Sequence, residues 1–122
     1  YLEDVKNNFK YFNLKYAELH QGFSNEEKMI EIIRSRKWDL IYIDGNHDYE
    51  IAKVDFINCA SNLSKNGLIV LDDSALYTDY VPTVFSTAGH PGPSKVANEI
   101  NLNHFVEVLS VGHNRVYQKR EI

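Results

Sequence analysis

A chain of 122 residues, 43% hydrophobic and 25% charged, has room for one domain with a modest core. Its net charge of −4 weighs against a nucleic-acid partner, because phosphate binding wants a basic face. The single cysteine rules out an internal disulfide and fits a reducing, cytoplasmic setting; no apolar run suits a bilayer or a signal peptide, so no membrane partner is expected.

The chain opens at Tyr1 in mid-pattern, and residues 1–122 are expected to be one N-terminally truncated domain. Val5 to Tyr11 reads as the end of a helix, and Leu14 to His20 alternates as a strand does. Gly22-Phe23-Ser24 turns the chain. Ser24 with Glu27 forms a predicted capping box, and Met29, Ile30 and Ile33 give the helix that follows an apolar stripe. Leu40 to Asp44 is nearly all apolar, the pattern of a strand buried on both faces.

Asp48 is the predicted N-cap of the next helix. Ala52, Phe56, Cys59, Ala60 and Leu63 fall on one buried face, with Asp55 on the polar side and expected to be solvated. Asn66-Gly67 is predicted to stop this helix through left-handed backbone, and Leu68 to Leu71 is the next strand. Strand, helix and strand make a right-handed βαβ unit.

Asp73 to Pro93 carries no periodicity and reads as a functional lid or mobile segment, with Tyr77 and Tyr80 expected as loop packing. Ser94 is predicted to cap a short helix with Val96, Ala97 and Ile100 inward. His104 to Val111 and Asn114 to Lys119 read as a hairpin around Gly112. The order, βαβαβ and then an αβ-hairpin, is that of an α/β fold.

Two of the apolar runs end in carboxylates, at Asp44 and at Asp72-Asp73. Neighbouring strands that end so on one sheet edge make a divalent-metal site, and that edge is where open α/β sheets bind ligands. The turn after Asp44 adds an imidazole, His47. His90, His104 and His113 are too scattered to form a zinc pattern.

Ile43-Asp44-Gly45-Asn46-His47-Asp48-Tyr49-Glu50, then Asp55, then Asn66 to Asp73, resembles the second half of a class I S-adenosylmethionine-dependent methyltransferase. Within that class the turn resembles the I-D-G-x-H-x-Y-E turn of metal-dependent O-methyltransferases, which include the macrolide sugar O-methyltransferases. Pro93 to Ala97 and the closing hairpin are similar to that group too, so the resemblance spans Leu14 to Lys119. It implies a Rossmann-like, mostly parallel sheet closing with an antiparallel hairpin. It also implies S-adenosylmethionine as methyl donor, Mg²⁺ or a similar divalent cation on Asp44, Asp72 and Asp73, and His47 as general base. Ser24 stands where the family turns toward the adenine. The acceptor implied is a hydroxyl of a sugar or other small molecule. The sequence departs from the family in lacking the Gly-rich loop of the cofactor half; its six glycines are scattered at 22, 45, 67, 89, 92 and 112, and the first two strands of the family are missing.

Gly45-Asn46-His47-Asp48 also matches the G-N-H-D/E block of calcineurin-like metallophosphoesterases, but their D-x-H and G-D-x-x-D blocks do not occur here. A third reading is a non-catalytic methyltransferase-like scaffold. Missing central strands leave a sheet edge open to pairing, so self-association into a homo-oligomer is expected of it.

Overall fold

The computed structural model describes residues 1–15 and 17–121. In chain order the elements are α1 (Leu2–Tyr11), α2 (Glu27–Arg34), β1 (Trp38–Ile43), α3 (Tyr49–Ser61), β2 (Leu63–Leu71), α4 (Pro91–Asn98), β3 (Phe105–Val111) and β4 (Asn114–Lys119). The four strands lie in the order β1-β2-β4-β3. β1 and β2 are parallel, while β4 is antiparallel to both β2 and β3. This is the expected α/β fold, closing in an antiparallel hairpin.

The β1-α3-β2 unit follows from local chemistry. Asp48 has extended backbone, and its carboxylate accepts the N–H groups of Glu50 and Ile51. That satisfies two of the donors that a helix start leaves unpaired. Asp48→Ala is therefore expected to cost about 1 kcal/mol and to lower the melting temperature by roughly 4 °C. An unchanged thermal unfolding curve would show that the cap contributes nothing.

From this start α3 lays Ala52, Cys59 and Ala60 against Leu63, Ile69 and Leu71, and α4 adds Val96 and Ala97 to the same core, with Ile100 just past its end. Cys59 is a core residue as expected, and burial pushes its thiol up to about 11. Asp55 departs from expectation: it is 5% exposed, not solvated. It lies one turn from Ala52 and Cys59 and so falls on the inner shoulder of the helix.

Other expectations are corrected. No strand forms over Leu14–Lys15 and Ala17–His20, the described part of that segment; Tyr16 lies outside the described residues. A strand persists only where a neighbour completes its ladder, and Leu14 N–H instead bonds back to Phe9 O at 2.9 Å. Ser24 does not cap α2, whose N-cap is Glu26, with no side-chain cap bond. The Glu26 carboxylate accepts Phe23 N–H at 2.8 Å instead, which tightens the turn and moves the helix start past Ser24. β1 is not buried on both faces: α3 covers the Ile41 and Ile43 side, while Leu40 and Tyr42 are 62% and 54% exposed. Asn66 and Gly67 do not end α3, which stops at Ser61. They lie within β2, with Asn66 at φ 60, where the β1–β2 register shifts. Ser94 is not a cap either; α4 starts at Pro91 behind His90, since the fixed φ of proline suits a first helical position.

Candidate active site

The ends of β1 and β2 turn away from the sheet side by side. Asp72 N–H donates to Ile43 O at 3.0 Å, which extends the parallel ladder past the strands and draws the two carboxylate-bearing turns together. Asp44, His47, Asp72 and Asp73 then line one small pocket of about 10 Å³ with Pro93 and Val96 behind them. That is room for a single ion or water. All three predicted metal ligands and the predicted base are thus in one place. Ser24 is not among the residues lining that pocket; it stands in the turn ahead of α2.

Asp72 is the hub. The Tyr42 hydroxyl donates to its Oδ1 at 2.7 Å, and His113 Nε2 lies 3.0 Å from the same oxygen. Asp72 is only 11% exposed, and that burial pushes its carboxyl up. Hydrogen bonds from Tyr42, Asp44 and Asp73, and the nearby His113, outweigh the burial and hold it below the ordinary range. Asp44 carries the opposite shift. Its hydrogen bond with the Asp72 carboxyl raises its pKa, and burial and the charges of Asp72 and Asp73 add to this. The Tyr42 phenol is pushed up to about 12, first by its bond to Asp72.

Asp73 sits on left-handed backbone, φ 53, and its Oδ2 lies 3.0 Å from His47 Nε2. The His47 ring stacks on His90, with centroids 3.7 Å apart and planes 19° from parallel. Beyond His47 opens a cleft of about 580 Å³ walled by Tyr49, Tyr77, His90 and Lys95. Tyr49 donates its hydroxyl to Glu99, and Lys95 Nζ lies 4.1 Å above the Tyr49 ring. Tyr77 is 57% exposed on this wall, not packed within the loop.

The lid is tied to the site at both ends. The buried Ser94 hydroxyl donates to Asp73 O at 3.2 Å and accepts Leu76 N–H at 3.2 Å. Gly89 and Gly92 permit close backbone approaches. A Cβ on Gly89 would fall 2.2 Å from Asp73 O, and one on Gly92 would fall 1.9 Å from His47 O.

Tyr42, His90 and His113 were not legible as site residues. His90 and His113 are supplied by the fold from distant stretches of chain, and none of the three stands in a local motif. The one available signal was Tyr42, near the end of β1 and two positions before Asp44.

Asp44, Asp72 and Asp73 fit a hard cation: they are carboxylate oxygens around an ion-sized space, and Asp44, raised by its hydrogen bond with Asp72, by burial and by the charges of Asp72 and Asp73, would be favoured in its ionised form by positive charge. The described residues do not build a cradle for a nucleoside donor. The glycines with the closest approaches face protein rather than open space: Gly67 meets Ser64 and Leu63, Gly89 meets Asp73, and Gly92 meets His47.

A family model described as a methyltransferase domain matches residues 3–74. The match takes in Asp44, His47, Asp72 and Asp73 and ends at Ser74, at the start of the lid and before His90 and His113. No curated protein matches the chain.

Proposed function

Because the chain belongs to this methyltransferase-domain family, we propose that it serves a metal-assisted O-methyl transfer from S-adenosylmethionine to a hydroxyl of a sugar or other small molecule. The observation that carries this reading is the meeting of three carboxylates with an imidazole at the mouth of an open cleft. Asp44, Asp72 and Asp73 are the residues that would hold Mg²⁺ or a similar cation, which when bound lowers the pKa of an acceptor hydroxyl and fixes its position.

His47 is the base in this reading. Its Nε2 lies 3.0 Å from Asp73 Oδ2, so this carboxylate would stabilise the imidazolium that forms when the ring takes the hydroxyl proton. Asp73 and the His90 ring orient the imidazole. Tyr49, Tyr77 and Lys95 line the cleft in which the acceptor lies. The donor is assigned from the family alone, and no step is derived through it, since Ser24 stands outside the site pocket.

The test is a calorimetric titration of S-adenosylhomocysteine with Mg²⁺ present, followed by methyl transfer to polyhydroxylated acceptors. Saturable binding and Mg²⁺-dependent transfer are expected. His47→Ala should lower turnover by about 10²-fold and leave donor affinity unchanged. Transfer indifferent to Mg²⁺, or full turnover in His47→Ala, would overturn the reading.

A further inference from the structure

Two imidazoles beside one carboxylate are a different ligand set from three carboxylates. One ligand atom each from His47, Asp73 and His90 lies within 4.8 Å of the other two. We infer that these three residues form a binding site for a borderline divalent ion such as Zn²⁺, Co²⁺ or Ni²⁺, a class that favours imidazole over the all-oxygen ligation of Mg²⁺.

The ligands come from three separate parts of the fold that are locked together through backbone. His90 N–H donates to Asp73 O at 3.0 Å, so these two ligands keep a fixed spacing. Gly92, two residues past His90, packs against the carbonyl of His47 and fixes the third. Backbone-held ligands lose little freedom on capture, which is the condition for a formed site. Their open side faces the cleft of about 580 Å³, which gives an ion its entry path and leaves places for water ligands.

The stacked rings set the one movement required. Imidazoles 19° from parallel send their lone pairs side by side rather than to one point. Capture turns His90, whose side chain makes no hydrogen bond among the described residues and no bond to the start of α4. Asp72, Asp73 and His113 form a second cluster of the same span. It has one imidazole only, and Asp72 Oδ1 is already engaged by Tyr42 and His113. The pair of histidines therefore carries the site.

An ion held there ties up the imidazole of His47. Under the proposed reaction it would silence the base, and that consequence rests on the proposal above; the binding itself does not.

Tag-free protein titrated with Zn²⁺ by calorimetry, and with Co²⁺ by visible absorption, tests the site. One saturable ion per chain is expected. His90→Ala should weaken it by at least about tenfold, and His90→Gln, which keeps bulk ahead of α4, should do the same with an unchanged melting temperature. Asp44→Asn should keep the site, because Asp44 is not one of its ligands. Equal Zn²⁺ affinity in wild type and His90→Ala would overturn the inference, as would loss of binding in Asp44→Asn alone. Zn²⁺ binding that depends on His90, in a protein that fails to bind S-adenosylhomocysteine, would leave this site standing while overturning the methyl-transfer reading.

Discussion

Gly92→Ala is expected to destabilise the protein by about 2–3 kcal/mol and to lower its melting temperature by roughly 10 °C. The added methyl would meet His47 O at 1.9 Å, with His47 C and Tyr49 N each at 3.0 Å. These are backbone atoms, which cannot swing aside as a side chain tip does. Either α4 retreats from the β1–α3 turn or the turn shifts. The first opens the packing of Val96 and Ala97, both 4% exposed. The second moves His47 away from Asp73, so the proposed methyl transfer should suffer along with stability. Gly22→Ala is the matched control. Its methyl would meet only Lys28 and Met29 side-chain atoms, at 3.1–3.3 Å, and those can yield. Equal melting temperatures for the two variants would show that the contact between α4 and the turn does not constrain the fold.

Asp44→Asn should do the reverse to stability while removing the proposed Mg²⁺ binding. The Asp44 carboxyl is raised by its hydrogen bond with the Asp72 carboxyl, with burial and the neighbouring charges adding to the shift. A carboxyl raised in the fold stabilises it fully below the unfolded pKa, and that contribution is lost as pH rises through the folded pKa. At neutral pH an ionised Asp44 is therefore a destabilising group, and an amide is not. Melted without divalent ions at pH 7, Asp44→Asn should exceed wild type, and the gap should close on acidification below the ordinary carboxylate range. With Mg²⁺ present the order should narrow or invert, since the ion stabilises only the protein that binds it. A variant less stable than wild type at pH 7, yet still protected by Mg²⁺, would remove Asp44 from the proposed metal site. Strain of this kind, held at a site and relieved by its ligand, is a common cost of function.

Much of the fold was legible because its signals are local. The apolar run of β1, the Asp48 cap and the 3.6-residue stripe of α3 each state one element, and together they give the parallel unit that places Asp44 beside Asp72. The carboxylates were legible for the same reason: they are strand ends, and strand ends share an edge. Where the reading failed, tertiary contacts decided between near-equal local choices. Ser24 and Glu26 both offer oxygen to a helix start, and the turn at Phe23 selected Glu26. Asn66-Gly67 can end a helix or bend a strand, and pairing of Leu68 with Leu40 selected the strand. The imidazoles were beyond reach for another reason. His113 meets Asp72 across 41 positions of chain, a contact that only the placing of β4 beside β2 creates.

The left-handed backbone of Asp73 acts as a filter on which side chains that position admits. At φ 53 a β-branched or bulky residue clashes with its own main chain, whereas Asp, Asn and Gly are tolerated. Replacing Asp73 with alanine would thus change two quantities together, the charge and the comfort of the turn. Asparagine alters the charge alone. The same filter narrows the routes by which an engineered version could trade this carboxylate: glutamate adds length and also strains the turn, so a redesign that wants a longer carboxylate must first rebuild the backbone beneath it.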